Sequence, residues 1–254
     1  MRNPDRQTVF HFKQFDVSNC LSAMKVGTDG VLLGAWAFAD VESGKTASGL
    51  CNIMDVGCGT GVISLMMAQR FANADIVGVE IDADAAYEAA LNFENSMWMQ
   101  RLRVVHADFT SFVDEAQERG KFDFIVSNPP FFTNGVRSGD VSRNMARHCD
   151  SLTIAELLRH GVKLLNECGR IAVILPMELF EEWRFQTALN GLVMTRLCVV
   201  STTPRKAPRR FMSEVSTLAG AKRPLEESTL TIHTALGEYS SEYVKLVEPY
   251  YTKI

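Results

Sequence analysis

From residue 50 onward the chain alternates short β-rich runs with longer helical patterns, and this rhythm leaves few folds open. The runs Asn52–Val56, Ala74–Glu80, Leu102–His106, Phe122–Ser127 and Arg170–Leu175 are strand-like and bounded by Gly, Asp or Pro. Between them, stretches near 61–71, 83–96, 109–118 and 152–166 carry apolar residues at helical spacing. Such strand–helix–strand units cross over right-handedly and build a mainly parallel sheet with helices on both faces. After Pro176 the pattern changes to a helix over 177–190 and two strand-like runs, Leu192–Ser201 and Phe211–Leu218, joined by a Pro- and Arg-rich connection. Neighbouring strands with no helix between them pair antiparallel, so the sheet is expected to finish in a hairpin. The fold class is α/β.

Residues 1–49 stand outside this rhythm. They hold the apolar run Val31–Ala39 and the Gly-rich patch Lys25-Val-Gly-Thr-Asp-Gly30. They read as a leader packed on the main domain as a lid, joined through a flexible link, 42–49, to a domain of residues 50–254. The apolar run stops far short of the roughly 20 residues that cross a bilayer, and no signal peptide is visible, so a cytoplasmic protein is expected. Six cysteines show no C-x-x-C pair and the five histidines no ligand spacing, which predicts reduced thiols and no metal. With 46% hydrophobic and 22% charged residues, wholesale disorder and coiled coil are excluded.

Four strand ends carry residues that chemistry can use. Asp55-Val-Gly57-Cys-Gly59-Thr-Gly61 lies between the first strand and its helix, where glycines admit positive φ and let a ligand approach the backbone. A dinucleotide fingerprint would place its third glycine at position 62, where this chain has Val62, which argues against a nicotinamide-dependent oxidoreductase. Glu80 closes the second strand 19 residues after Gly61, a spacing that suits ribose hydroxyls, whereas Asp82 suits a helix cap. The third strand ends in His106-Ala-Asp108-Phe109. Asp108 there either accepts an amino proton from adenine or caps the following helix. The fourth ends in Ser127-Asn128-Pro129-Pro130-Phe131-Phe132. Two prolines remove two donors and hold the chain extended, leaving the Asn128 amide oxygen and nearby carbonyls to accept from an amino group. Phe131 is placed to stack on a planar base.

Together these four strand ends resemble class I S-adenosylmethionine-dependent methyltransferases that act on amino groups. The leader narrows the resemblance. Phe12-Lys-Gln-Phe15 followed by Met24–Trp36 is similar to the bacterial tRNA1(Val) (adenine(37)-N6)-methyltransferase family, over essentially the whole chain. The resemblance implies a Rossmann-like sheet of seven strands with an antiparallel last strand. It implies that Asp55, Gly57, Gly59, Gly61, Glu80, Asp108, Phe109 and Asn128 bind S-adenosylmethionine, with Lys25, Thr28 and Asp29 over its methionine end. It further implies that Asn128, Pro129, Pro130 and Phe131 present the target amine to the methyl group, with S-adenosylhomocysteine as product. Relatives often carry Tyr where this chain has Phe131 and Phe132, so stacking is kept and a hydroxyl is absent. The same N-P-P-aromatic run occurs in enzymes that methylate ribosomal RNA guanine N2 or protein glutamine, which stay open as alternatives.

The implied partner is tRNA, with no obligate protein partner evident. The net charge of −4 does not announce a nucleic-acid surface, but the charge is uneven. Arg196 to Pro224 carry seven basic residues against the single acid Glu214. Arg205, Lys206, Arg209 and Arg210 fall on the connection between the last two strands, an exposed turn able to track phosphates, although a solvated loop is the plainer reading. A second candidate is the stretch 133–150, with Arg137, Arg143, Arg147 and His148.

Overall fold

A computed structural model describes residues 9–22, 24–41, 51–115, 122–129, 152–222 and 224–253. A hairpin of β1 (Val9–His11) and β2 (Asp16–Ser18) leads into α1 (Thr28–Trp36). The expected alternation follows as β3 (Cys51–Val56), α2 (Val62–Arg70), β4 (Ala74–Glu80), α3 (Ala83–Glu94), β5 (Leu102–His106), α4 (Phe109–Glu115) and β6 (Phe122–Ser127). It continues through α5 (Ile154–Leu164), β7 (Leu165–Pro176) and α6 (Phe180–Leu189), the last preceded by a 3-10 turn at Met177–Leu179. The chain closes with β8 (Leu192–Ser201), β9 (Arg210–Thr217), β10 (Glu226–Thr231) and α7 (Ser241–Val247).

The main sheet runs β10-β8-β9-β7-β6-β3-β4-β5. Among its described strands, only β9 opposes the common direction, pairing antiparallel with β7 and β8. The expected hairpin is present, but among the described residues the sheet has eight strands rather than seven and the hairpin is not its edge. There β10 pairs parallel with β8, from Glu226 opposite Arg196 to Thr231 opposite Ser201. The first four residues of β10 are exposed, so it lacks the alternation that marks a strand in sequence; the free edge of β8 makes it one.

Local signals explain the helix starts. Asp82 caps α3 by accepting the Ala85 amide at 2.8 Å, as its position predicts. Thr153 and Glu156 close a capping box on α5, each side chain accepting from the other's backbone N–H. Strand alternation then divides the core between the two faces of the sheet. Cys51 and Ile53 pack with α1, α2, α3 and α7, while Met54 and Val56 pack with α4, α5 and α6.

The leader is part of the first core. Every residue of α1 from Gly30 to Trp36 is buried, and Phe38 stacks on Phe124 of β6 with ring centroids 4.2 Å apart. Buried side chains such as Val31, Leu32 and Leu33 each contribute roughly 1.5–3 kcal/mol. Beneath them Glu214 of β9, wholly buried, accepts the Phe38 amide at 2.8 Å and pairs with Arg170 at 3.1 Å and with Arg196. A buried carboxylate needs such partners, and these tie the end of α1 to three strands. Because β3 sits between β4 and β6, the crossovers part on either side of it and leave a crevice at the carboxyl ends of β3 and β6.

Candidate active site

A cavity of about 800 Å3 opens at that crevice. The turn Gly57–Thr60 with Val62 and Ile63 forms its floor, and the leader forms one wall through Met24, Lys25 and Gly27 to Gly30. The facing wall is Asn128 and Pro129 after β6, Pro176 at the end of β7 with Glu178 just beyond it, and Arg209 just before β9 with Arg210 at its start. The volume lies in the ordinary range for small-molecule sites.

The three glycines of the turn do different things. Gly57 and Gly59 take φ of 68° and 55° and line the cavity. A Cβ on Gly57 would meet no atom within 4 Å, so a side chain there would fill space open to a ligand. That cradle fits a cofactor lying against the backbone. Gly61, with φ of 79°, instead faces α3, where a Cβ would come within 2.4 Å of the Phe93 ring. It lets the start of α2 sit against Phe93 and is not among the lining residues.

Asp55 lies beneath the turn, not in the cavity. It is fully buried, and its Oδ2 accepts the Ser64 N–H at 3.0 Å and the Ser64 hydroxyl at 2.7 Å, holding the first turn of α2. Burial pushes its pKa up to about 7 against the pull of the Ser64 bonds, and the nearby Glu80 charge adds to the rise. Glu80 ends β4 beside the cradle: its two carboxylate oxygens accept the Gly59 amide at 2.8 Å and the Asp82 amide at 2.9 Å. Cys58 in the turn is buried, and burial first, then Asp55 and Glu80, raise its thiol pKa well above the usual range, so it is an inert packing group.

Asp108 adopts the capping role. Its Oδ1 accepts from the Thr110 hydroxyl at 2.6 Å and the Ser111 amide at 2.9 Å. Partial burial opposes ionisation, yet these bonds hold its carboxyl below the usual range. Phe109 is 5% exposed in the second core, edge-on to His160. Neither lines the cavity.

Tertiary contacts place the leader wall. Glu88, buried on α3, accepts the amides of Cys20, Leu21 and Ser22, the latter two at 2.9 Å. Asn92, one turn later, bonds both polar groups of the Ser18 backbone and donates to the Thr60 carbonyl at 2.9 Å, so one helix holds leader and glycine turn together. Lys25 donates to the carbonyls of Asn19 at 2.6 Å and Cys20 at 3.2 Å. Thr28 and Asp29 open α1 at the cavity, and Asp29 pairs with Arg210 at 2.9 Å. Arg210 thus begins β9 as part of the cavity wall, exposed Arg209 lines the same wall, and Arg205 and Lys206 are exposed on the turn where sequence placed them.

Pro176 and Glu178 were not singled out from sequence, although the strand-end rule that flagged Asn128 applies equally to the end of β7. Pro130, Phe131, Phe132 and the stretch 133–150 lie outside the described residues. Among the described residues no cluster of His, Cys, Asp or Glu suits a metal, and no helix is long and apolar enough to cross a membrane.

A switch-point cavity floored by a glycine cradle, with a strand-end acid beside it and Asn-Pro opposite, is the arrangement that a methyltransferase site would need. Comparison with known proteins agrees: residues 45–180 match the methyltransferase small domain. The predicted O-methyltransferase of Agrobacterium tumefaciens shares the fold at a TM-score of 0.66, with 18% identity and coverage of 87% of this chain and 96% of that one. The chain is 42% identical over 249 residues to the tRNA1(Val) (adenine(37)-N6)-methyltransferase of Porphyromonas gingivalis, covering 96% of this chain and 95% of the relative. It is 40% identical over 246 residues to the Trichodesmium erythraeum protein of the same name, covering 96% and 98%. The chain therefore belongs to the tRNA1(Val) (adenine(37)-N6)-methyltransferase family.

Proposed function

We propose that the protein transfers a methyl group from S-adenosylmethionine to the N6 amine of adenine 37 in tRNA1(Val). The observation that carries this reading is that one cavity sets a backbone cradle fit for the cofactor opposite acceptors fit for an exocyclic amine. The names of the relatives supply the target nucleotide.

S-adenosylmethionine, when bound, supplies an electrophilic methyl group on a sulfonium and leaves as S-adenosylhomocysteine. Gly57 and Gly59 bring bare backbone to it, and Lys25, Thr28 and Asp29 cover it from the leader. Glu80 keeps lone pairs for ribose hydroxyls beyond the two amides it already accepts, and the second oxygen of Asp108 is left for the adenine amino group. Asp55, Gly61 and Phe109 act on the cofactor through the turn and the helices they hold. The Asn128 side-chain oxygen and the Pro129 carbonyl accept hydrogen bonds from the two amine N–H groups and aim the nitrogen lone pair, and once the methyl has moved from sulfur to nitrogen the methylated amine gives one proton to water. A neutral amine needs no strong base, so positioning and fixed dipoles carry the catalysis. Pro130 stiffens this arm and Phe131 stacks on the target base. Arg205, Lys206, Arg209 and Arg210 lie along the RNA side, and the step uses no metal.

Purified protein, labelled S-adenosylmethionine and unmodified valine tRNA, followed by nucleoside mass spectrometry, test the reading. N6-methyladenosine that disappears when adenine 37 is replaced is the expected result. Cofactor binding with no label in tRNA would overturn it and move the target to ribosomal RNA or protein glutamine. Asn128→Ala should abolish turnover while cofactor affinity by calorimetry stays within a few-fold; an equal loss of cofactor binding would reassign Asn128.

A further inference from the structure

Next to the basic turn stands a column of three rings that the proposed chemistry leaves without a task. Tyr239 stacks on His233, with centroids 4.9 Å apart and planes at 22°, and on Tyr243, at 5.0 Å and 24°. Tyr243, on α7, is 3% exposed, and Tyr239 is 48% exposed. Rings on both faces of Tyr239 make half-buried His233 the terminal member, and among the described residues no other ring stacks on it.

Backbone bonds fix where the column stands. The His233 amide donates to the Thr202 carbonyl and the Ile232 amide to the Ser201 carbonyl, both at 2.9 Å. Thr202 begins the loop that carries Arg205, Lys206 and Arg209 toward the cavity wall. Because β10 runs parallel to β8, the segment after it emerges at the end of the sheet where the cavity opens. The short turn from Thr234 to Glu238 is closed by its own amides and presents Leu236, 88% exposed, at its tip. Arg210 is matched by Asp29, but Arg205, Lys206 and Arg209 form no ion pair with any described residue.

Unpaired cations beside a rigid aromatic column match single-stranded nucleic acid, whose phosphates meet the cations while a base continues the stack. We propose that the His233 end of this column holds a base of the RNA strand flanking the target nucleotide. Resting on the RNA reading above, this places the target base in the cavity and a neighbour on the column, with the basic turn along the phosphates between them. Tyr243 and Tyr239 hold the terminal ring in place before RNA arrives, so little freedom is lost on binding.

The test is steady-state methylation of transcribed valine tRNA by the wild type, His233→Ala and His233→Phe, with cofactor affinity measured for each. His233→Ala is expected to raise the KM for tRNA roughly 5- to 150-fold while kcat and cofactor affinity hold. His233→Phe keeps a ring and should restore KM. In a second arm, anticodon-arm RNAs carry an abasic site at single positions flanking the target. One such site should weaken binding to the wild type and cost His233→Ala nothing further, a comparison made within each protein and so independent of folding losses. An unchanged KM in His233→Ala, or an equal abasic penalty in both proteins, would overturn the column. A wild-type protein that methylates no tRNA would overturn the RNA reading and the column together.

Discussion

Asp55→Asn probes the electrostatics under the glycine turn. Asp55 is fully buried, its Oδ2 holds two hydrogen bonds from Ser64, and its Oδ1 has no hydrogen-bond partner among the described residues. An unfolded chain ionises this group near 3.8, whereas burial raises the folded value to about 7. Between those values the folded protein holds the extra proton, so unfolding releases it and stability falls as pH rises. The contribution is complete below 3.8 and lost as pH climbs through about 7. At 1.36 kcal/mol per unit, a window of roughly three units amounts to about 4 kcal/mol. Asparagine keeps an acceptor for Ser64 and does not titrate. Urea unfolding of both proteins from about pH 4 to about pH 8 should therefore show the difference shifting by about 4 kcal/mol in favour of the variant. Parallel stability profiles across that range would refute a proton on buried Asp55.

Other perturbations follow from single contacts. Gly61→Ala drives a methyl to 2.4 Å from the Phe93 ring at a positive φ, and should cost about 1–3 kcal/mol in urea unfolding; an unchanged midpoint would contradict the packing. Glu88→Ala strips the acceptor from the amides of Cys20, Leu21 and Ser22 and loosens the leader wall, so cofactor Kd by calorimetry should rise about tenfold. Wild-type affinity in that variant would detach the leader from cofactor binding. Replacing Arg205, Lys206 and Arg209 together by Ala should lower the slope of log affinity for tRNA against log salt by about 2 to 3. An identical slope would take this turn off the RNA.

What the amino-acid order determined was whatever short-range periodicity can encode. The strands β3 to β6 and helices α2, α3 and α5 fall within a residue or two of the expected bounds, because the two-residue and 3.6-residue patterns are complete within each segment. Strand-end chemistry was legible for the same reason: a parallel sheet delivers all its carboxyl ends to one side, so Gly57, Glu80 and Asn128 were bound to gather there. Choices that depend on distant partners were settled by tertiary structure alone. Asp108 became a cap because Thr110 and Ser111 present their donors to it, and Gly61 faces Phe93 because the start of α2 meets α3 there. Arg210 left the exposed turn for Asp29, 181 residues away in the chain. The polar segment β10 became a strand on meeting the edge of β8, and α1 passed from expected cover to buried core over Glu214. Pairing energies of this kind arise between residues remote in sequence, and a local pattern carries no trace of them until the chain has folded.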